Sequence, residues 1–299
     1  MDEKEIRSYE HAGKIAAKAI AYGMDIIHEG MPVLELCERI ETYIFNSGGR
    51  PAFPCNVSIN EVAAHYTARP NDELTIPKGS LVKLDLGVHV DGFIADTAVS
   101  IAFSQDLHSL CDAAKKALEN AINSIRPGTP ISKIGALIER TIKSYGFKPV
   151  SNLTGHKITK WTLHAGKSIP NVFNPDDKAH ILEGEVYAIE PFATNGNGYV
   201  TESETITIYR YVGGKVKGKE EKALIKIIWR KYKSLPFCER WLLKDIPDFQ
   251  SKVKHFHNLL NHGNVYGYPV LVERRGSFVS QYEHTVIVLK DGPLVITKI

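Results

Sequence analysis

The sequence predicts an α+β protein built from antiparallel strands and flanking pairs of helices. Residues 81–101 alternate apolar and other side chains on both sides of Asp91-Gly92, which is a strong signal for a two-residue β-hairpin turn. A helix, a Pro-Gly or Gly-Met-Pro break and a second helix occur twice, each time ahead of strand-like sequence. This repetition indicates two similar halves.

Apolar residues at helical spacing predict four helices, over 3–28, 33–47, 106–125 and 131–145. The segment 50–68 is rich in Pro and Asn and is predicted to be irregular. Residues 185–192 read as an apolar strand interrupted by Glu190, and 266–289 as a second hairpin that turns at Arg274-Arg275-Gly276.

The first hairpin carries two carboxylates that we expect on one face. If Asp91 and Gly92 form the turn, Asp96 lies opposite Gly87, two residues from Asp85. Two like charges on an apolar hairpin are unfavourable unless a cation lies between them, either Arg or Lys or a pair of metal ions. An exposed edge hairpin with two solvated aspartates is the alternative at this point.

Further candidate ligands lie later in the chain. Glu190 and Glu283 each interrupt an apolar strand pattern, where a carboxylate without a partner is costly. His156 lies before both of them, in a loop-like segment. Four carboxylates and one neutral imidazole carry a formal charge of −4, which balances two divalent cations. Such a ligand set suits Co, Mn, Fe or Zn. Taken alone, Phe53 is typical of a packed loop aromatic and His65 of a structural histidine.

Composition gives the general class of the protein. Its 299 residues are 43% apolar and 24% charged, as in ordinary globular proteins. No signal peptide and no apolar run of membrane-spanning length is found. The four cysteines are scattered without a CxxC pair, which is typical of reduced thiols. We therefore expect a cytoplasmic protein without a membrane partner.

One segment differs in charge from the rest. Residues 213–264 hold 12 Lys and Arg against 5 Asp and Glu, a net charge of +7, whereas the whole chain carries +3. Aromatic residues are interleaved among these charges. We therefore predict a small, mainly helical insertion over 211–264 between the two parts of a main domain, 1–210 and 265–299. Its basic surface is either simply solvated or a nucleic-acid or ribosome contact.

Together these segments resemble a known family. KLDLGVHVDGFIADTAVS, LTGHKI, LHAGKSIPNV, AIEPFAT and QYEHTVIV are similar to the motifs of the methionine aminopeptidases, in the same order. The resemblance covers about residues 5–299. The basic insertion is similar to that of type II enzymes, and the short N-terminus to archaeal ones. The resemblance implies the creatinase-like pita-bread fold, a curved antiparallel sheet flanked by helices in two pseudo-symmetric halves.

The resemblance also implies roles for individual residues. Asp85 matches the bidentate ligand of one metal ion, and Asp96 and Glu283 match the bridging carboxylates. His156 and Glu190 match the ligands of the second ion, and Glu190 is also the implied general base.

Four further residues match positions that contact the substrate in this family. His65 and His164 match histidines that hydrogen-bond the substrate backbone and stabilise the tetrahedral intermediate. Phe53 and Leu163 match the lining of the pocket for the methionine side chain. Thr154 and Lys157 depart from the usual type II sequence beside the histidine ligand, so access or metal preference is expected to differ.

The implied activity is removal of the N-terminal methionine from nascent polypeptides when the next residue is small. A metal-bridged hydroxide is expected to attack the scissile carbonyl. The expected partners are nascent N-termini and, through the basic insertion, a transient ribosome contact, but not DNA. Two alternatives remain: an Xaa-Pro peptidase with the same ligands, and a non-catalytic ribosome- or RNA-binding relative, in which broken ligands would be expected.

Overall fold

The computed structural model describes residues 1–298. Its first four helices agree with the predicted ones, and three more follow in the basic segment. The helices are α1 (Glu3–Ile26), α2 (Val33–Asn46), α3 (His108–Ser124), α4 (Ile131–Ser144), α5 (Lys219–Tyr232), α6 (Glu239–Asp245) and α7 (Phe249–Asn261). None of the helices in this described part is long and apolar enough to cross a membrane.

The strands of the described residues are β1 (Arg50–Ile59), β2 (Val62–Ala64), β3 (Leu81–Val90), β4 (Phe93–Ala102), β5 (Lys148–Pro149), β6 (Thr154–Ile158), β7 (Ser168–Pro170), β8 (Val186–Ile189), β9 (Phe192–Thr194), β10 (Thr201–Tyr211), β11 (Phe237–Cys238), β12 (Val265–Val272), β13 (Val279–Gln281), β14 (His284–Leu289) and β15 (Gly292–Val295). They form four antiparallel sheets, in the orders β1-β3-β4, β11-β10-β12-β2, β13-β9-β5 and β15-β14-β8-β6-β7.

The central hairpin has the predicted register. Val90 pairs with Phe93, and Gly87 pairs with Asp96. Both turn residues have left-handed backbones, with φ of 50° at Asp91 and 88° at Gly92. A two-residue turn of this kind follows the twist of the strands it joins, which is why the Asp-Gly pair predicts it.

The prediction of irregular structure over 50–68 was wrong, because β1 and β2 lie there. Strand β1 pairs with β3 from Arg50 to Ile59, with register shifts on both sides of Phe53. Such β-bulges take residues out of the regular ladder, so a strand with prolines at positions 51 and 54 can still pair with its neighbour.

The predicted second hairpin was also wrong. Strand β12 pairs with β10 and β2, whereas β13 pairs with β9. The buried Glu273 carboxylate lies at the turn and accepts hydrogen bonds from the Gly198 backbone N–H and the Ser277 hydroxyl, both 2.8 Å long. These bonds tie the turn to another loop, so the strand after it continues in a different sheet.

The two halves have separate cores that meet at the centre of the molecule. Helices α1 and α2 pack on β1, β3 and β4, and helices α3 and α4 share a second apolar cluster with β8 and β14. The halves join where Ala98 of β4 forms a bridge with Glu283. All four cysteines are free, as predicted, and all are buried.

The basic segment has an apolar cluster of its own. Helices α5, α6 and α7 and strand β11 enclose side chains that are almost fully buried: Leu224, Ile225, Ile228, Phe237, Leu242, Ile246, Phe249, Phe256, Leu259 and Val265. Strand β11 pairs with β10 and so connects this cluster to the sheet beside the central hairpin.

Candidate metal centre and substrate pocket

Every site residue expected from the sequence lines a single cavity of about 220 Å³. These residues come from widely separated parts of the chain: Phe53, His65, Asp85, Asp96, His156, Leu163, His164, Glu190 and Glu283. Thr154 also lines the cavity. Lys157 instead pairs with Glu185, with 2.8 Å between Nζ and Oε1.

The seam between the two halves fixes two of the acidic residues. The Glu283 backbone N–H donates to the Ala98 carbonyl at 2.9 Å, and the Thr97 hydroxyl donates to the Glu283 carbonyl at 2.9 Å. The Thr285 hydroxyl accepts from the Asp96 N–H at 2.7 Å and donates to the Asp96 carbonyl at 2.8 Å. Backbone geometry therefore holds Asp96 and Glu283 side by side.

The second half supplies the imidazole and another carboxylate. His156 lies on β6 and pairs with Ala188 of β8, and Glu190 directly follows that strand. The His156 Nε2 atom lies 3.6 Å from Asp96 Oδ2 and 3.5 Å from Glu190 Oε1. One ligand atom from each of Asp96, His156 and Glu283 lies within 4.8 Å of the other two.

The electrostatics of this cluster call for a cation. Burial raises the pKa of Asp85 to about 7, and it raises the pKa of Asp96, Glu190 and Glu283 well above the usual value, with the neighbouring carboxylates adding to the shift. Burial lowers the pKa of His156, so this ring is neutral and can offer a lone pair.

Carboxylate oxygens without hydrogen-bond partners also indicate a bound cation. Oδ1 of Asp85, Oδ1 of Asp96 and Oε1 of Glu283 are buried without a hydrogen-bond partner. Buried carboxylate oxygens normally have a partner, and a divalent ion both neutralises such a cluster and coordinates its oxygens. The donor set, oxygen-rich with one imidazole, therefore fits divalent metal.

Two amides support the carboxylates and were not found from the sequence. The Asn56 Nδ2 atom donates to Asp85 Oδ2 at 3.3 Å. The Gln281 Nε2 atom lies 3.3 Å from Glu190 Oε2 and 3.4 Å from Glu283 Oε2. Gln281 precedes Glu283 by two residues, so strand alternation could have identified it. Asn56 requires the β1–β3 pairing, which the prediction lacked.

Apolar side chains form the walls of the cavity beside the acidic cluster. Phe53 lies across Gly87, where a Cβ atom would come within 2.4 Å of its ring. Leu163 and several residues missed by the sequence analysis complete the lining: Ala64, Leu153, Phe192, Ile208, Pro236, Tyr268 and Leu271. A small apolar cavity beside convergent polar groups suits one apolar side chain.

Two histidines border the cavity in neutral form. Burial lowers the pKa of His65, and desolvation by the surrounding protein together with the charges of His65 and Arg210 lowers the pKa of His164 to about 4. The His65 Nδ1 atom lies 3.2 Å from the Pro269 carbonyl, so Nδ1 carries the proton and Nε2 is an acceptor. The His65 backbone is left-handed, with φ of 66°, a strained conformation that is common at functional sites.

Comparisons with known proteins agree with this geometry. Residues 7–289 match the model of metallopeptidase family M24. A methionine aminopeptidase of Pyrococcus horikoshii is 47% identical over 288 residues, 96% of this chain and 97% of the relative.

Two solved structures share the fold. A thermophilic Arx1 superposes with a TM-score of 0.84 at 18% identity, over 100% of this chain and 92% of the other. The methionine aminopeptidase of Thermotoga maritima superposes with a TM-score of 0.73 at 21% identity, over 100% and 98%. The predicted pita-bread fold is thereby confirmed.

Metal use follows from the family match and from the donor set of the cavity together. The similarity to the Pyrococcus enzyme extends over nearly the full length of both chains. The chain belongs to metallopeptidase family M24 and, within that family, to the methionine aminopeptidases.

Proposed function

We propose that this enzyme removes the N-terminal methionine from nascent polypeptides whose second residue is small. The observation that carries the proposal is the apolar cavity next to four carboxylates, of which Asp96 and Glu283 are buried, and two neutral histidines. The activity named for the Pyrococcus relative agrees with it.

Two divalent ions, Co, Mn, Fe or Zn, are proposed to bind the cluster. Asp85 would hold one ion, His156 and Glu190 would hold the other, and Asp96 and Glu283 would be shared between the two. When bound, such ions polarise a carbonyl oxygen and lower the pKa of a water molecule. The formal charge of the five side chains, −4, supports the stoichiometry of two.

The protein's own groups bind and orient the substrate. Phe53 and Leu163 enclose the methionine side chain and exclude water from it. His65 Nε2 accepts a hydrogen bond from a substrate backbone N–H, and neutral His164 donates one to the scissile carbonyl oxygen. Glu190, whose Oε1 lies toward His156, takes a proton from the attacking water and delivers it to the leaving amine.

The substrate proposal is tested with a peptide panel. The enzyme should release the first residue of Met-Ala-Ser faster than that of Met-Leu-Ser, because a small second residue is required. It should not cleave an Xaa-Pro peptide such as Leu-Pro-Ser. Preference for the Xaa-Pro peptide would refute the proposal and indicate a proline-directed peptidase instead.

Residues 1–210 and 265–299 are proposed to form the catalytic domain, with 211–264 inserted as a small helical unit. The apolar cluster between α5, α6 and α7 supports this division. The basic outside of the insertion is proposed to contact the ribosome in the cytoplasm, where nascent N-termini emerge. Lys215, Lys217 and Lys219 are all exposed and available for this contact.

Charge reversal of these three lysines tests the ribosome contact. The triple Lys→Glu variant should lose co-sedimentation with ribosomes and keep its rate on Met-Ala-Ser. Co-sedimentation equal to that of the unmodified enzyme would remove these lysines from the contact.

A further inference from the structure

Strand β1 reaches the cavity through two β-bulges that bracket Phe53. Its register runs from Pro51 opposite Val88 to Phe53 opposite Gly87, and then to Asn56 opposite Asp85. One extra residue of β1 is thus accommodated before Phe53 and another after it. Bulges of this kind re-aim side chains next to functional sites.

Side chains, rather than a neighbouring strand, satisfy the backbone of the second bulge at Cys55. The Cys55 N–H donates to Glu41 Oε1 of helix α2 at 3.1 Å. The Thr67 hydroxyl donates to the Cys55 carbonyl at 2.7 Å. The position of this bulge therefore depends on where Glu41 and Thr67 are held.

Arg240 of helix α6 holds both of these side chains. Its Nη1 and Nη2 atoms each donate to a Glu41 carboxylate oxygen at 2.9 Å, and Nη2 also donates to Thr67 Oγ1 at 3.0 Å. Its Nε donates to the Ala68 carbonyl at 2.8 Å, and the Trp241 indole N–H donates to Glu41 Oε2 at 2.8 Å. Through these hydrogen bonds the basic segment is connected to strand β1, which forms one wall of the cavity.

The ion pair is deeply buried, with Glu41 5% and Arg240 8% exposed. Buried ion pairs contribute little net stability, because removing both charges from water offsets their attraction. Fixing one geometry is a better-supported use for such a pair. Here its hydrogen bonds lead to the bulge between Phe53 and Asn56.

We propose that Glu41 and Arg240 are positioning residues for the substrate pocket. Arg240 fixes the position of the bulge at Cys55 through Glu41 and Thr67. The bulge in turn positions Phe53 beside the methionine side chain and Asn56 beside Asp85. This inference rests on the proposed function, because it gives Phe53 a role in methionine binding.

Thr67→Val is the variant of choice, since valine keeps the shape of threonine and has a methyl group in place of its hydroxyl. The first readout is ¹⁹F NMR of protein labelled with fluorophenylalanine, in which Phe53→Leu identifies the Phe53 signal among the 11 phenylalanines. The Phe53 signal should shift in Thr67→Val. This readout does not depend on any activity.

The second readout is kinetic. The KM for Met-Ala-Ser should rise about fivefold, because the bulge loses the hydrogen bond from the Thr67 hydroxyl to the Cys55 carbonyl, while kcat changes less. Lys231→Met is the matched control, because Lys231 pairs with Asp245 on the surface of the same segment, 3.2 Å apart and 43% exposed. It should leave both readouts unchanged. If Thr67→Val does not fold, Trp241→Phe removes only one donor to Glu41 and should shift the same signal.

An unmoved Phe53 signal together with an unchanged KM, in a folded Thr67→Val or Trp241→Phe variant, would overturn the inference. If the signal shifts in the variant but the unmodified protein releases no methionine, the positioning of Phe53 is supported and the proposed function is refuted instead. The two failures are therefore distinguishable.

Discussion

Replacing Gly87 with alanine tests how closely the pocket wall is fitted to the hairpin. A Cβ at this position would lie 2.4 Å and 2.7 Å from two ring carbons of Phe53 and 3.0 Å from the Ala52 Cβ. Contacts below 3.0 Å are not tolerated, so the ring must move. The cavity is the free space beside it, and we expect the ring to move into the volume that the methionine side chain would occupy.

The expected size follows from the cost of overpacking, about 1–3 kcal/mol. If the free energy of substrate binding becomes less favourable by that amount, the KM for Met-Ala-Ser rises roughly 5- to 150-fold, at ~1.4 kcal/mol for each factor of ten. The assay is steady-state methionine release at several peptide concentrations. Metal content should remain that of the unmodified enzyme, because no ligand is changed.

A double-mutant cycle gives the control. Phe53→Leu shortens the side chain that Gly87→Ala would strike, so the double variant should lose less than the sum of the two single losses. A KM within twofold of the unmodified enzyme for Gly87→Ala, or strictly additive losses in the cycle, would refute the argument that Phe53 forms the wall across Gly87.

Three further predictions follow from the contacts of the cluster. Asn56→Ala should weaken metal binding by about 10- to 100-fold in calorimetry, because it removes the hydrogen bond that orients Asp85; unchanged affinity would exclude that role. Asp96→Asn should raise the melting temperature of the metal-free protein, because it relieves repulsion among the clustered carboxylates. The same variant should abolish the rise in melting temperature that added metal produces in the unmodified protein. A lower melting temperature of the metal-free variant would contradict this reasoning. Burial would raise the pKa of Glu185, but hydrogen bonds from two lysines and Tyr187 outweigh it and lower the pKa to about 2, so this group contributes stability that is present above its usual pKa and lost as the pH falls toward 2. The difference in melting temperature between unmodified protein and Glu185→Gln should therefore shrink between pH 5 and pH 2, whereas a constant difference would oppose the assignment.

Local sequence signals predicted the hairpin register correctly and singled out the carboxylates that line the cavity. The Asp91-Gly92 turn determines the register of β3 and β4, and alternation then places Asp85 and Asp96 on one face. Glu190 and Glu283 were found because a charge inside an apolar strand needs a partner. Each of these signals lies within a few residues of the group it identifies.

Features that depend on long-range pairing were missed. Strand β1 is irregular in sequence and becomes a strand because β3 pairs with it and the buried cluster around Glu41 satisfies its bulge. The partner of Glu41 is Arg240, 199 residues away. Pocket residues such as Tyr268 and Pro236 are brought in by strands of a different sheet and by the basic segment, and nothing in their immediate sequence marks them.

The most direct test of the central claim is methionine release from Met-Ala-Ser by metal-free protein titrated with Mn, Co, Fe or Zn. The account predicts that activity appears with metal, saturates at two ions per chain and is absent in Asp96→Ala. No release with any of these metals from folded protein, or equal release by Asp96→Ala, would contradict it.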